Sequence, residues 1–298
     1  MTGSAQARLR RLPLVRRARG YRLYTVDGRR ILDLWQAGGR AILGHRGGGV
    51  VPAVKRVLER GVLAAMPSVQ ERRLEQALLR LLGDGELVRV AVYESHQRAV
   101  EAVAAALGLP APQCRPDDPV LLTLEGGPAF PAALPAALHG HGGRPSVRYW
   151  RPYLPADRPA AEPRVAVRFP VLPDGGLFEA QTVVYPDELG IELFSDILPE
   201  PVLTALTAAA WGLVSSGRRP VVRLAGFSRV GPYFVPDASE DYDRVFDCFL
   251  RSGVLISPDP AVPSIVPGEL SDGERACLEA AARAAMADSD GKRGTGGN

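Results

Sequence analysis

A neutral side-chain amine is what a protein needs to condense with a carbonyl and form an imine. Of the 36 lysines and arginines in this 298-residue sequence, only Lys55 and Lys292 are lysines. Arginine stays protonated and cannot take over that chemistry. Lys55 stands four residues before Glu59 in a segment of helical periodicity, the pattern of an exposed ion pair. Lys292 falls in a polar tail, 288–298, expected to be disordered. Neither is placed to form an imine. Cys114, Cys248 and Cys277 are widely spaced and without a CxxC pair, which points to buried thiols in a reducing compartment rather than to a disulfide framework or zinc site. His45, His96, His139 and His141 lack metal-ligand companions, the last two lying in a Gly-rich loop. Asp117-Asp118 belongs to a Pro-rich turn. What remains is Ser95-His96-Gln97, where an apolar strand meets an alanine-rich helix. Ser95 reads first as a helix cap, and a protonated His96 at a helix start could hold an anion.

The elements that would carry these residues follow from periodicity and turn chemistry. Tyr21 to Val26 and Arg30 to Leu34 alternate as strands on either side of Asp27-Gly28, a hairpin signal. Val50 to Arg60 is a helix ended at Gly61, with Val54, Val57 and Leu58 on one face. A second helix, Val69 to Leu82, turns Leu74, Ala77, Leu78 and Leu81 inward. Leu87 to Tyr93 is a strand, and the helix capped by Ser95 reaches Leu107. Val120 to Leu124 has the composition of a buried parallel strand. From Glu125 to Pro163, dense in Pro, Gly and Ala, the spacing predicts a helix near Ala132 to Leu138 and otherwise irregular loop. Further strands are expected at Val165–Val171, Thr182–Tyr185, Arg219–Ala225 and Gly253–Ile256. Helices are expected at Pro201–Leu213, Asp241–Ser252 and, capped by Ser271, to about Met286.

Composition restrains the function. A hydrophobic fraction of 46% and a charged fraction of 23% are those of an ordinary soluble globular chain. The net charge of +3 leaves no footprint for nucleic acid, and no apolar run is long enough for a membrane span or signal peptide. A cytoplasmic protein without nucleic-acid or membrane partners is expected.

Gly20 to Leu34 (Gly-Tyr-Arg-Leu-Tyr-Thr-Val-Asp-Gly-Arg-Arg-Ile-Leu-Asp-Leu), then Leu43-Gly44-His45 and Val50 to Leu58, resembles the start of class III aminotransferases, pyridoxal-phosphate enzymes of fold type I. Phe246 to Ile256, with Ser257-Pro258 and the helix from Ser271, resembles their small-domain ending. The likeness spans residues 12–135 and 240–286. It implies that Ser95, His96 and Gln97 occupy the place of the family's Asn-Ser-Gly-Thr-Glu-Ala phosphate loop, His96 replacing its glycine and Gln97 its threonine. Pro128 of Glu125-Gly126-Gly127-Pro128-Ala129-Phe130 takes the place of the ring-stacking aromatic. Val167-Arg168-Phe169-Pro170-Val171, running to Gly175-Gly176, resembles a decayed Glu-Pro-Val…Gly-Gly run. Asp187 is the candidate for the aspartate that holds the pyridine nitrogen. The family's substrate-carboxylate arginine is not identifiable, Arg223 and Arg229 being guesses, and its catalytic lysine is not found.

The expected fold is a two-layered α/β protein: a truncated fold-type-I aminotransferase-like chain, with a parallel-rich sheet, flanking helices and a small α+β domain built from the two chain ends. A basic N-terminal arm (1–19), its first ten residues disordered, precedes the start of the small domain with linking helices (20–82). A reduced large α/β domain (83–235), the C-terminal small domain (236–287) and the tail (288–298) follow. The expected function is a catalytically inactive structural or regulatory scaffold without cofactor, a homodimer or a heterodimer with an active aminotransferase relative. One alternative is a pyridoxal-phosphate-dependent aminotransferase whose lysine comes from a second chain. Another is a binder of a small anion in the remnant cleft, through Ser95, His96 and nearby arginines.

Overall fold

The computed structural model describes residues 3–82, 89–108, 122–123, 127–128, 146–154, 166–217, 219–237 and 241–293. The expected helix at 132–138 lies outside the described residues, as do Glu125, Gly126, Ala129 and Phe130 of the turn at the place of the ring-stacking aromatic, of which only Gly127 and Pro128 are described.

Both ends of the chain make one small domain. Strands β1 (Val15–Arg19), β2 (Arg22–Thr25) and β3 (Arg30–Asp33) form an antiparallel meander. Its β2–β3 turn is the expected one, with Gly28 at φ 85°, a conformation that costs glycine nothing. The other edge of β3 takes β12 (Val254–Leu255) in parallel, Val254 opposite Leu32. Helices α6 (Tyr242–Arg251) and α7 (Asp272–Arg293) cover this sheet. Phe246 and Phe249 are fully buried there against Leu34, Leu278 and Ala282, each such side chain contributing about 2 kcal/mol. Asp241 caps α6 by accepting from the Arg244 amide. A reciprocal Ser271–Glu274 pair caps α7, Ser271 Oγ accepting from the Glu274 amide at 3.2 Å and Glu274 from the Ser271 amide at 3.0 Å. The last helix continues past Met286 to Arg293, into the expected disordered tail, because the alanine-rich run propagates a helix already nucleated by packing.

The N-terminal arm is also more ordered than its charge suggests. Gly3–Leu9 is helix α1, and the buried Arg8 donates to Asp243 of α6 at 2.9 Å and to the Pro258 carbonyl at 2.9 Å. Arg11 pairs with Asp243 and Asp247. Basic residues at one end thus answer acids on α6, a complementarity without local signature.

The larger unit is organised on a four-stranded sheet of order β4-β9-β8-β7, made by β4 (Arg89–Tyr93), β9 (Gln181–Tyr185), β8 (Ala166–Pro170) and β7 (Ser146–Trp150). Rather than parallel-rich it is mixed: β7 and β8 are parallel, while β9 runs antiparallel to both β8 and β4. The turn around Gly175 and Gly176 returns β9 directly beside β8, and so reverses it. Consequently β4, β8 and β7 point the same way. Helix α4 (His96–Ala106) packs on one face through Ala99, Val100 and Val103. Helices α3 (Val69–Leu82) and α5 (Glu200–Val214) pack on the other through Leu74, Leu78, Leu203 and Leu206. The sheet is therefore sandwiched in three layers, not two. Helix α2 (Val50–Arg60) lies alongside α5; Val57 is buried as expected, whereas Leu58 is exposed.

Two strand expectations are corrected. Leu122–Thr123 (β5) pairs antiparallel with Gly127–Pro128 (β6) as a short hairpin, not as a buried parallel strand. Residues 219–225 have no strand partner among the described residues, although Val222 and Leu224 point into the core and Val221 and Arg223 outward. The ladder forms just beyond, between β10 (Phe227–Val230) and β11 (Tyr233–Pro236), with β13 (Ser264–Ile265) on its far side.

Candidate functional site

In an α/β sheet, ligands bind beyond the carboxyl ends of like-directed strands. Here β4, β8 and β7 end at Tyr93, Pro170 and Trp150, so Ser95 and His96, Val171, and Arg151 follow them at one edge. Gln181 opens β9 at this same edge, opposite Tyr93.

Ser95 is the cap of α4, its hydroxyl oxygen accepting from the Arg98 amide at 3.2 Å. Replacing Ser95 by alanine should lower the thermal midpoint by the equivalent of about 1 kcal/mol; an unchanged midpoint would show that the cap contributes nothing. His96, the next residue, lays its ring against Tyr149 and Phe169, with centroids 5.3 and 5.8 Å away, and its Nε2 shares a hydrogen bond with the Tyr149 hydroxyl. Burial pushes its pKa down; a side-chain hydrogen bond with Gln181 opposes this, and the charge of Arg40 adds to it. The neutral form is thereby favoured, against the protonated anion-binder that the sequence allowed. Gln97 turns away along the helix and donates to Glu101 at 2.9 Å.

Asp187 does not join this group. It begins a short 3-10 turn after β9 and accepts from Arg89 Nε at 2.8 Å, both side chains exposed. Arg89 is the first residue of β4 and faces Tyr185, so the length of that strand separates Asp187 from Ser95 and His96. Glu94 is exposed, and its amide donates to Asp196 Oδ2 at 3.1 Å. The other oxygen of Asp196 lies 3.6 Å from Arg98 Nε. The start of α4 thus already has a carboxylate of the chain beside it.

Residues that the sequence did not single out complete the edge. Arg40 arrives from the small-domain side on a loop; its carbonyl accepts from the Gly175 amide at 2.8 Å, and its Nε lies 4.0 Å from Asp174, a buried carboxylate that also accepts from the Gly176 and Phe178 amides. Arg151 is 6% exposed. Tyr149 and Phe169 form the aromatic wall, 5.9 Å apart. The signal that could have found Arg151 and Tyr149 is the alternating Val147, Tyr149 and Arg151, hidden in a segment dominated by Pro and Gly. Arg223 and Arg229 are exposed and stand apart from these side chains in sequence, on the 219–225 segment and β10.

Arg40 is placed by an unusual loop. Gln36, Ala37, Gly38 and Gly39 all have positive φ, at 48°, 50°, 68° and 107°, and each non-glycine residue held so costs about 1 kcal/mol. Asp33, 1% exposed, holds it: Oδ1 accepts from the Trp35 and Gln36 amides, each at 2.9 Å, and Oδ2 pairs with His45 Nε2 at 2.8 Å. Buried Gln36 donates to the Ile265 carbonyl at 2.9 Å. Lys55, by contrast, is on α2, 75% exposed and 3.7 Å from Glu59. Among the described residues no cluster of three or more His, Cys, Asp or Glu could hold a metal ion, and no helix is long and apolar enough to cross a membrane.

A mixed sheet ending at a helix start, flanked by helices and joined to a small domain from both chain ends, is a shortened aminotransferase-like α/β fold of type I. In structure the chain is similar to an omega-transaminase from Sphaerobacter thermophilus, with TM-score 0.61 and 16% identity over 93% of this chain and 91% of that one. It is equally similar to the ornithine aminotransferase from Toxoplasma gondii, with TM-score 0.61 and 12% identity over 94% and 91%. In sequence, it is 38% identical over 95 residues to the glutamate-1-semialdehyde 2,1-aminomutase of Hyperthermus butylicus, 32% of this chain and 22% of that protein. It is 35% identical over 147 residues to an uncharacterized protein of Treponema pallidum, 45% of this chain and 46% of the relative. Over 88% of this chain and 87% of the relative, it is 25% identical to an uncharacterized protein of Borreliella burgdorferi. The matches to T. pallidum and to the aminomutase thus span less than half of those relatives' length. No family model matches the chain.

Proposed function

We propose that this is a non-catalytic aminotransferase-like protein, acting as a structural or regulatory scaffold that pairs with a copy of itself or with an active aminotransferase relative. The observation that carries the reading is the position of Lys55: a solvated amine in an ion pair on α2, while the carboxyl edge of the sheet is furnished with Arg40, Arg151, His96, Tyr149 and Gln181. The side chains at the start of α4 do not fit a covalently attached pyridoxal phosphate. The Ser95 hydroxyl is engaged by the Arg98 amide, Asp196 sits beside the same turn, and the His96 ring fills the place of a glycine. Leu58, Leu63, Met66, Val69 and Trp211 are exposed on α2, the α2–α3 link, α3 and α5, helices that pack on one another, and apolar side chains left on such a face are what a pairing surface would use.

The test is an absorption titration with pyridoxal phosphate, followed by borohydride reduction and peptide mass spectrometry. The expected result is no aldimine band and only scattered, substoichiometric adducts. A stoichiometric adduct at one lysine would overturn the reading. One formed only in the presence of a second chain would restore an aminotransferase completed in trans.

A further inference from the structure

Charge is divided unequally along this chain. The first sixty residues hold fourteen lysines and arginines against three acids, and the remainder twenty-two against thirty. Part of that surplus is answered within the fold: Arg8 and Arg11 meet Asp243 and Asp247, and Arg22 meets Glu274. On β1 it is not. Arg16, Arg17 and Arg19 are exposed, and no carboxylate among the described residues pairs with any of them. Exposed Arg46 extends the row, because the amide of His45 before it donates at 2.8 Å to the carbonyl of Gly20, just past the end of β1. β1 is also the outermost strand of its sheet: it pairs with β2 on one side, and no described strand lies on the other. Its outer main-chain groups are those of an open edge. The pleat sorts its side chains. Ala18, opposite Leu23, packs toward the core, while Arg17 and Arg19, opposite Tyr24 and Arg22, stand on the outer face, with Arg17 over the Tyr24 ring at 4.4 Å. Just before the strand Leu14 accepts from the Val26 amide at 2.8 Å, and these two side chains are 79% and 67% exposed. Charge alone would blunt such an edge against pairing; exposed apolar side chains beside it work the other way.

We propose that the β1 edge docks an extended acidic segment of a partner protein, which joins the sheet as a further strand with carboxylates beside Arg17 and Arg19 and an apolar side chain beside Ala18. The partner's pattern follows from the pleat: acids alternate with apolar residues, because neighbours along a strand face opposite sides of the sheet. Strand addition answers the outer amides and carbonyls together. A nucleic-acid or lipid phosphate would answer the guanidinium groups and leave the carbonyls without donors. The same edge of a second copy is disfavoured, since it would set arginines beside arginines. Arg16 and Arg46, at the two ends, add to the attraction for an acidic chain, and planar guanidinium forks suit its carboxylates. The surface belongs to the small domain, so the inference stands whether or not a lysine adduct is found.

The test titrates the full-length protein, at physiological salt, into a fluorescein-labelled peptide of alternating glutamate and valine and follows anisotropy. Two control peptides separate charge from strand pairing: one carries the same residues in two blocks, the other is the alternating peptide N-methylated on every amide. Saturable binding is expected for the alternating peptide and not for either control. The double variant Arg17→Glu with Arg19→Glu turns two attractive cross-strand pairs into repulsive ones and should weaken binding by about tenfold or more. Arg17→Gln with Arg19→Gln, which removes charge without reversing it, should fall between that variant and wild type, and it decides the matter if the glutamate variant loses thermal stability. The proposal is overturned if the alternating peptide does not saturate, if the N-methylated or block peptide binds as tightly, or if the glutamine variant binds like wild type. It is overturned equally if a single-stranded oligonucleotide or phosphatidylserine vesicles bind more tightly than the alternating peptide, which would make β1 a surface for phosphates.

Discussion

Asp33→Ala should cost the protein about 3 kcal/mol, because it strands two buried backbone amides and the His45 ring that now share one carboxylate. Asp33→Asn keeps an acceptor for the amides and loses only the charge opposite His45, so its cost should be nearer 1 kcal/mol. The difference matters beyond stability. The amides of Trp35 and Gln36 begin the left-handed run that positions Arg40, and a chain relieved of that anchor will relax toward ordinary backbone angles. Urea unfolding followed by circular dichroism gives the energies, and Trp35 emission reports the loop. An alanine variant within 1 kcal/mol of wild type, with unchanged emission, would mean that the loop is held from elsewhere.

Acid should remove a second anchor. Glu274 accepts from Arg22 Nε and Nη2, each at 2.7 Å, in a bidentate pair, and from the Ser271 amide and hydroxyl. The Arg22 hydrogen bonds foremost, with those of Ser271, hold its carboxyl at about 2, against the ordinary 4.5. A carboxyl with a depressed folded-state pKa contributes stability that is fully present above the unfolded pKa and disappears as pH falls toward the folded one. The window is therefore from about pH 4.5 down to about pH 2. Its size, allowing for partial solvent screening, is about 2 kcal/mol. Glu274→Gln should be less stable than wild type by that amount at neutral pH, and the two curves should converge as the pH approaches about 2. Parallel curves across the whole range would show that Glu274 does not titrate with folding.

Where local chemistry decides an element, the sequence was a sufficient guide. Asp27-Gly28 placed the hairpin, Ser95 the start of α4, and Val245, Phe246, Phe249 and Leu250 the buried stripe of α6. It failed where a partner far along the chain decides. Residues 219–225 alternate as a strand should, yet have no strand partner among the described residues, while the Tyr233 strand is recruited by Ile265 and Ser264. β7 was concealed by the Pro- and Gly-rich context on both sides of Ser146–Trp150. The same division runs through the site. Ser95 and His96 could be found because a strand-to-helix junction announces itself. Arg40, Tyr149, Arg151 and Gln181 converge only through sheet order and a loop conformation, and Asp187 was misplaced for the converse reason, since β9 carries it to the far end of the sheet.

The interleaving of the two chain ends bears on how the protein is made. During synthesis the strand at Arg30–Asp33 emerges long before Val254–Leu255, which fills its open edge, and Arg22 must wait for Glu274, 252 residues later. Until then the nascent meander presents unpaired backbone groups and a bare apolar face, the features that invite pairing with another chain. The larger unit, whose sheet closes with Gln181–Tyr185, can assemble first and tether the waiting segment. The small domain can close only once the chain has been made as far as Val254–Leu255 and Glu274.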